Sequence, residues 1–327
     1  MVAMRRRDFI SLFGGSVFGP VLPARAQEKG RIYRLGSLHQ SLRSAPHHFA
    51  FYDQLRKEGF VEGQNLFADT QGYGLHVEQL AEHVKELVKV QVDVIVAAGD
   101  EAVRAAQHST KTISIIAIAS DLVGHGFVRS LGNPEGNTTG LSIFSTELDG
   151  KRQEILMQAV PGARRMAALV DSVYTSPQRA ASLQEAARKY DVELVIYTAA
   201  TPDDIAGVLE KAKTSGAEAL NVLASAFLYN NRQIIFERAA SLSIPAIYEL
   251  PNESEEGGLI AYGPRLVQLY RDILARQCVK LFLGAKPTDL PIEQPTKFDL
   301  VVNLKTAKAL GLTIPESLLA RADVVLE

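Results

Sequence analysis

The chain has 327 residues, 46% of them hydrophobic, which is more apolar material than one core usually holds and makes two domains the expectation. Its 35 basic residues are offset by 37 acidic ones, a balance that does not recommend nucleic acid as a partner. A lone cysteine, Cys278, excludes an internal disulfide and lies far from the N-terminus, where a lipid would attach.

The N-terminus reads as an export signal. Arg5, Arg6 and Arg7 precede Asp8 and Phe9, a modestly apolar run follows from Ser11 to Leu22, and Ala24, Arg25 and Ala26 supply the small residues of a cleavage site. The arginines resemble a twin-arginine signal, which a translocase reads as it exports folded proteins. A membrane anchor is the alternative, but the run holds three glycines and falls short of the roughly 20 residues a spanning helix needs. Cleavage near Ala26 removes four basic residues and one acidic one, leaving a net charge of about minus five. The mature chain is expected in the periplasm as a monomer.

From Arg31 onward, β-branched runs alternate with segments of helical period, the pattern of βαβ units. Strands are predicted at Ile32 to Leu38, Asn65 to Thr70 and Val92 to Ala98, with a helix from His48 to Glu58 ended by Gly59. The next helix gathers Val77, Leu80, Ala81, Val84, Leu87 and Val88 on one face. The pair VDVIVAAGDEAVRAAQ and ISIIAIAS is echoed about 125 residues further on by AEALNVLASAFLYNNR and IPAIYEL, so the architecture is expected to be duplicated. The second half supplies strands at Met166 to Val170, Leu194 to Thr198, Ala219 to Leu223 and Ala246 to Leu250. Ser176 with Pro177 and Thr201 with Pro202 carry helix-start chemistry.

The fold expected is therefore α/β, with two doubly wound parallel-sheet lobes joined by a multi-crossing hinge. The predicted lobes are residues 27–144 with 252–288, and 145–251 with 289–327. Crossings are expected near Ser142 to Glu147, Pro251 to Gly257 and Pro287 to Pro295, where Gly, Pro and polar residues cluster.

Ligands of open α/β sheets bind beyond the carboxyl ends of the strands. In the first lobe that rule selects Ser37, His39 and Gln40, then Gly99, Asp100 and Glu101, then Ser120 and Asp121. In the second lobe it selects Asp171 and Tyr174, Ser225 and Phe227, and Tyr248 and Glu249. Unpaired N–H groups at the helix starts after Gly99 and Ser176 could hold a carboxylate, helped by hydroxyls of Ser37, Ser120 or Ser225. Asp100, Asp121 or Glu249 would suit an ammonium or hydroxyl, and Tyr174, Phe227 and Tyr248 offer flat walls. The combination favours an amino acid or an aromatic carboxylate. Simpler roles stand beside each: Asp100 as a helix cap, Asp121 as a turn former, Tyr248 as a core residue, Glu249 in an interlobe ion pair. His39, His47 and His48 raise metal capture, but no carboxylate or further histidine has the spacing of a coordination sphere, and no metal or other cofactor is expected.

Four stretches resemble the ABC transporter substrate-binding proteins of the tryptophan-type group: SDLVGHGFVRSLGNPEGNTTGLS, ELDGKRQEILMQAVPGARRMAALVD, EEGGLIAYGP and the tail AKPTDLPIEQPTKFDLVVNLKTAKALGLTIPESLLARAD. The resemblance implies the type I periplasmic binding fold, a small solute held between the lobes, and docking on the membrane permease of an ABC importer. Family members commonly carry a small hydroxyl residue and a proline after the third strand, where this chain has Asp100 and Glu101, and a proline where it has Leu122. Both departures fall where ligands are expected. An enzyme is the rival class, yet no strand is followed by G-x-G-x-x-G, and no G-x-S-x-G elbow or P-loop is present. A sugar-responsive regulator would need a helix-turn-helix where the export signal stands. A periplasmic sensor using the same closure remains the alternative to transport.

Overall fold

The computed structural model describes residues 30–143, 148–172 and 177–327. The export signal with its cleavage site, Tyr174 and Ser176 lie outside the described residues.

The first sheet is built from β1 (Tyr33–Leu38), β2 (Leu66–Ala68), β3 (Val94–Ala98), β4 (Ser114–Ala119) and β5 (Thr138–Ser142), all parallel, in the order β2-β1-β3-β4-β5. Its crossovers are α1 (Pro46–Lys57), α2 (Val77–Lys89) and α3 (Asp100–Ser109). The strands run nearly uninterrupted in Val, Ile and Ala because helices cover both faces. On one face Leu80, Val84 and Leu87 of α2 pack with Ile95, Ile115 and Ala102.

The chain then enters α4 (Asp149–Ala159) and builds the second sheet from β6 (Arg165–Asp171), β7 (Glu193–Ala199), β8 (Ala219–Val222), β9 (Ala246–Tyr248) and β10 (Ile260–Gly263). Its helices are α5 (Pro177–Arg188), α6 (Pro202–Thr214), α7 (Ala226–Asn230), α8 (Arg232–Ser241) and α9 (Pro251–Glu255). The order β7-β6-β8-β9-β10 repeats that of the first sheet, as the duplicated pattern predicts. Asp204 accepts from the Thr201 backbone at 2.8 Å, the helix-start chemistry read at Thr201 and Pro202.

The remaining elements depart from the sequence reading. The strand in GGLIAYGP, assigned with 252–288 to the first lobe, is β10 and pairs with β9 in the second sheet. The helix after it does belong to the first lobe: α10 (Leu266–Leu269), a π-helical turn (Tyr270–Leu274) and α11 (Ala275–Phe282) bury Leu274, Cys278 and Phe282 against Tyr33, Leu55 and Phe60. Residues 289–293, read as second lobe, stay with the first, since Leu290 and Ile292 are in its cores and Glu293 bridges to Leu141. The chain returns in β11 (Asp299–Asn303), antiparallel to β10, and ends with α12 (Leu304–Ala309), α13 (Glu316–Leu319) and the edge strand β12 (Val324–Leu326).

The three crossings thus lie between β5 and α4, between β10 and α10, and between Glu293 and β11. Pro251 to Gly257 is not one of them: it forms α9, whose Ser254 carbonyl accepts from Asn303 within the second lobe. Hydrophobic periodicity is local and cannot say which of two sheets a strand joins. All of these elements fall within one compact unit, Ile32–Glu327, and among the described residues no helix is long and apolar enough to cross a membrane.

Candidate functional site

Parallel strands end together, so the loops after β1, β3, β4 and β5 and those after β8 and β9 converge on one crevice. A cavity of about 640 Å3, including its open mouth, lies there. The first lobe contributes Gln40, Ser41, His47, Ala98, Gly99, Asp100, Ile118, Ala119, Ser120 and Ile143; the second contributes Ser225, Ala226, Tyr229, Asn230, Glu249 and Leu250. Leu266 and Tyr270, just past the second crossing, close it. A wider outer chamber shares Gln40, Ser41, His47, Tyr229, Asn230 and Leu266 with it. A small side chamber shares Asp100, Ser120, Ser225 and Ala226.

Six of the residues selected by the strand-end rule therefore line the cavity: Gln40, Gly99, Asp100, Ser120, Ser225 and Glu249. Gly99 has a φ of 94°, a left-handed conformation that favours glycine, and a Cβ there would touch Ala226 of the opposite lobe at 3.5 Å. This turn starts α3, placing Asp100 in its first turn, where a carboxylate complements the unpaired N–H groups. Asp100 is only 6% exposed, and its Oδ2 lies 2.5 Å from Nδ1 of His125. The Asp100 carboxylate holds the His125 imidazole above its usual pKa against the opposing effect of burial.

Ser225 faces the cavity, but its hydroxyl is committed: it donates to Asp171 at 2.8 Å and accepts from the backbone of Phe227 and Leu228. Asp171 accordingly supports α7 from beneath. Ser37 is buried, donating to the Tyr73 hydroxyl at 3.0 Å, and is not a wall of the cavity. Asp121 shapes its turn by accepting from Val123 and Gly124 at 3.1 and 2.8 Å. Phe227 borders the side chamber, with Glu101, His125 and Arg179. Tyr248 is 1% exposed and packs edge-on to Phe236 at 5.0 Å, so it belongs to the second lobe's core. The next residue, Glu249, stands just past the end of β9 and lines the cavity.

A buried ion-pair network fixes the second-lobe wall. Arg152 donates to Asp149 at 3.0 Å and to the Tyr262 carbonyl at 2.8 Å; Arg179 grips the other Asp149 oxygen at 2.6 Å and the Ala224 carbonyl at 3.0 Å. Arg152 also reaches the Glu249 carbonyl at 3.4 Å. Gly263 is required beside it, because a Cβ there would collide with that carbonyl oxygen. Behind Glu249, Glu253 is 2% exposed, and burial together with the Glu249 charge pushes its carboxyl up to about 8, so it is protonated at neutral pH.

Sequence reasoning missed Tyr229, Asn230, Leu266 and Tyr270, and weighed His47 only as a metal ligand, not as a cavity wall. Tyr229 and Asn230 were within reach of the strand-end rule had it been carried through α7. Tyr270 had no comparable signal, since it returns from a distant helix whose π-helical turn starts there. Its ring meets His47 at 4.6 Å. His48 bonds Ser41 at 2.9 Å and His39 stacks on Tyr73. Burial lowers the pKa of all three histidines, to about 4 for His47 and about 3 for His48. Among the described residues no group of three or more His, Cys, Asp or Glu is placed to hold a metal.

A family model described as ABC transporter substrate binding protein matches residues 39–326. A curated relative from Clostridioides difficile (strain R20291), a tyrosine-binding protein, is 24% identical over 265 residues, covering 80% of this chain and 75% of its own. A conserved domain protein from Vibrio cholerae superposes with a TM-score of 0.79 at 23% identity, over 90% of this chain and 100% of that one. An ABC domain from Streptococcus pneumoniae in complex with L-Trp gives 0.76 at 24%, over 89% and 100%. These likenesses establish the type I periplasmic binding fold.

Proposed function

The chain belongs to the ABC transporter substrate-binding proteins, and on that premise we propose that it captures an aromatic amino acid or a close relative of one outside the cytoplasm and delivers it to the membrane permease of an ABC importer. The observation that carries the reading is the cavity, whose walls come from both lobes: a solute held there contacts both at once and stabilises the closed form. Tyr229, Tyr270, Ile118 and Leu266 supply an apolar, aromatic surround, while Asp100 and Glu249 supply negative charge for an ammonium group. Amide and hydroxyl groups of Gln40, Ser41 and Asn230 at the rim can orient polar atoms of the solute. The ligands of the two relatives, tyrosine and L-Trp, support the same class.

In this reading the twin-arginine segment directs export, cleavage falls near Ala26, the released protein works in the periplasm as a monomer, and it catalyses no reaction. Thermal unfolding with amino acids, aromatic carboxylates, sugars and metal salts tests it. A specific solute at a hundred times its Kd should stabilise by about 2.7 kcal/mol. A response to sugars or metals alone would refute the aromatic assignment; turnover of any solute would refute the non-enzymatic one.

A further inference from the structure

His47, Tyr229 and Leu266 line both the inner cavity and the outer chamber, so the two spaces meet at them. On the first-lobe side the outer chamber is bounded by Ser44, Ala45, Pro46 and His47, the residues that open α1. A helix leaves its first N–H groups without intrahelical partners. At α7 the Ser225 hydroxyl takes two of them. Nothing comparable stands at α1: Ala45 makes no side-chain cap, and the first turn carries no acid. The N–H groups of His48 and Phe49 turn to the Ala45 carbonyl at 3.0 and 3.4 Å, while that of His47 makes no bond among the described residues.

The side chain of the same residue is also short of a partner. His47 is only 5% exposed, yet among the described residues its imidazole makes no hydrogen bond. Its neighbours are rings, His48 at 4.2 Å and Tyr270 at 4.6 Å. Burial keeps it neutral at pH 7, so it carries one N–H to donate. A buried donor without an acceptor is costly, and here the acceptor has to come from outside the chain.

Arg232 borders the same chamber from the second lobe, and its charge acts on His47 more strongly than the opposing charge of Glu256. Its Nε donates to Glu256 at 2.7 Å and its Nη1 to the Tyr229 carbonyl at 3.0 Å, which leaves Nη2 outside both bonds. Arg265, the chamber's other arginine, is held between two carboxylates, Asp299 at 2.6 Å and Glu255 at 2.7 Å. The acids of the chamber, Glu255 and Glu256, are thus each matched by an arginine. The donors that remain, from the start of α1, the His47 ring and Arg232, are those an anionic oxygen pair accepts from.

We propose that the carboxylate of the solute is seated where the two chambers join, between the first turn of α1 with His47 on one lobe and Arg232 on the other. The inference rests on the solute-capture reading and deepens it: the acid group is a required part of the ligand and bridges the lobes, while an ammonium group on the same solute is left to Asp100 and Glu249.

Calorimetric titration of the purified protein at pH 7 with L-tryptophan and tryptamine, and with L-tyrosine and tyramine, tests this. In the wild type each amine should bind at least tenfold more weakly than its amino acid. Arg232→Gln and His47→Phe, checked for native circular dichroism, should each shrink that ratio at least threefold, a change that a merely structural role would not produce because it weakens both members of a pair alike. Amines within tenfold of their amino acids overturn the seat and leave aromatic solute capture standing. A ratio that survives in both variants places the carboxylate elsewhere and also overturns the seat, whereas failure of all four probes overturns both readings. If neither variant folds, a crystal structure of the wild type with the amino acid that binds decides: a carboxylate within hydrogen-bond distance of His47 or Arg232 supports the seat, and any other position overturns it.

Discussion

The Asn230 side-chain amide donates to the Gln40 side-chain oxygen at 3.0 Å, joining the two lobes across 190 residues of chain at the rim of the cavity. Together with the approach of Ala226 to Gly99, it is a direct contact between lobes at the crevice. The bond is exposed to solvent, so its net contribution should sit at the lower end of the usual 0.5–1.5 kcal/mol, about 0.7. Asn230→Ala is therefore expected to speed ligand dissociation about threefold and leave association nearly unchanged. Stopped-flow measurement of both rates checks it; an unchanged dissociation rate would show that the bond does not hold the closed form.

Tyr248 and Glu249 are neighbours in sequence with opposite destinations, and their variants should separate accordingly. Tyr248→Ala removes a ring from the second-lobe core and should lower stability by about 3–5 kcal/mol, read in a chemical denaturation curve. The remaining folded protein should bind ligand with wild-type affinity. A selective loss of affinity at unchanged stability would place the ring in the site after all.

The three buried histidines should make the protein acid-sensitive. His47 and His48 have folded-state pKa values below their unfolded ones, so the stability they contribute is present above about 6.5 and is lost as pH falls through the window toward 4 and 3. Each should take away roughly 2 kcal/mol between pH 7 and 5, and His39 acts in the same direction. Denaturation midpoints of the wild type and His47→Gln across that range provide the check: the variant should lose less stability on acidification.

Glu253 has the opposite sign. Its folded pKa is raised to about 8, so its effect is favourable below the unfolded value near 4.5 and turns into a growing penalty as pH rises toward 8. Glu253→Gln keeps an acceptor for the Leu250 N–H, which Glu253 Oε2 now receives at 2.7 Å, and removes the titration. The variant should gain roughly 2–4 kcal/mol over the wild type at pH 8 relative to pH 5. Equal differences at the two pH values would mean that Glu253 is not buried as a neutral acid.

Six residues of the candidate site were legible because they follow strand ends directly, and the end of a parallel strand has a predictable destination. Ser37, Asp171 and Asp121 obey the same rule of position, but their side chains are claimed by Tyr73, Ser225 and the turn after β4. Those claims are tertiary or depend on loop conformation, which residue type does not reveal. Tyr248 went to the core because alternation sends adjacent side chains to opposite faces, and only the packed helices tell which face is interior. Tyr270 was hidden for the reverse reason: its helical period is clear, but the direction of its helix across the hinge is not.

By itself the sequence determined the alternation of strands and helices, the duplicated order of two doubly wound sheets, and the loops that could meet a solute. Those follow from periodicity and turn chemistry, which act over a few residues. Only the tertiary structure decided that β10 joins the second sheet, that residues 289–293 stay with the first lobe, and that Asp100 and Glu249 face one cavity from opposite lobes. These depend on contacts between residues far apart in the chain, where register, burial and charge are settled together and no local pattern carries the answer.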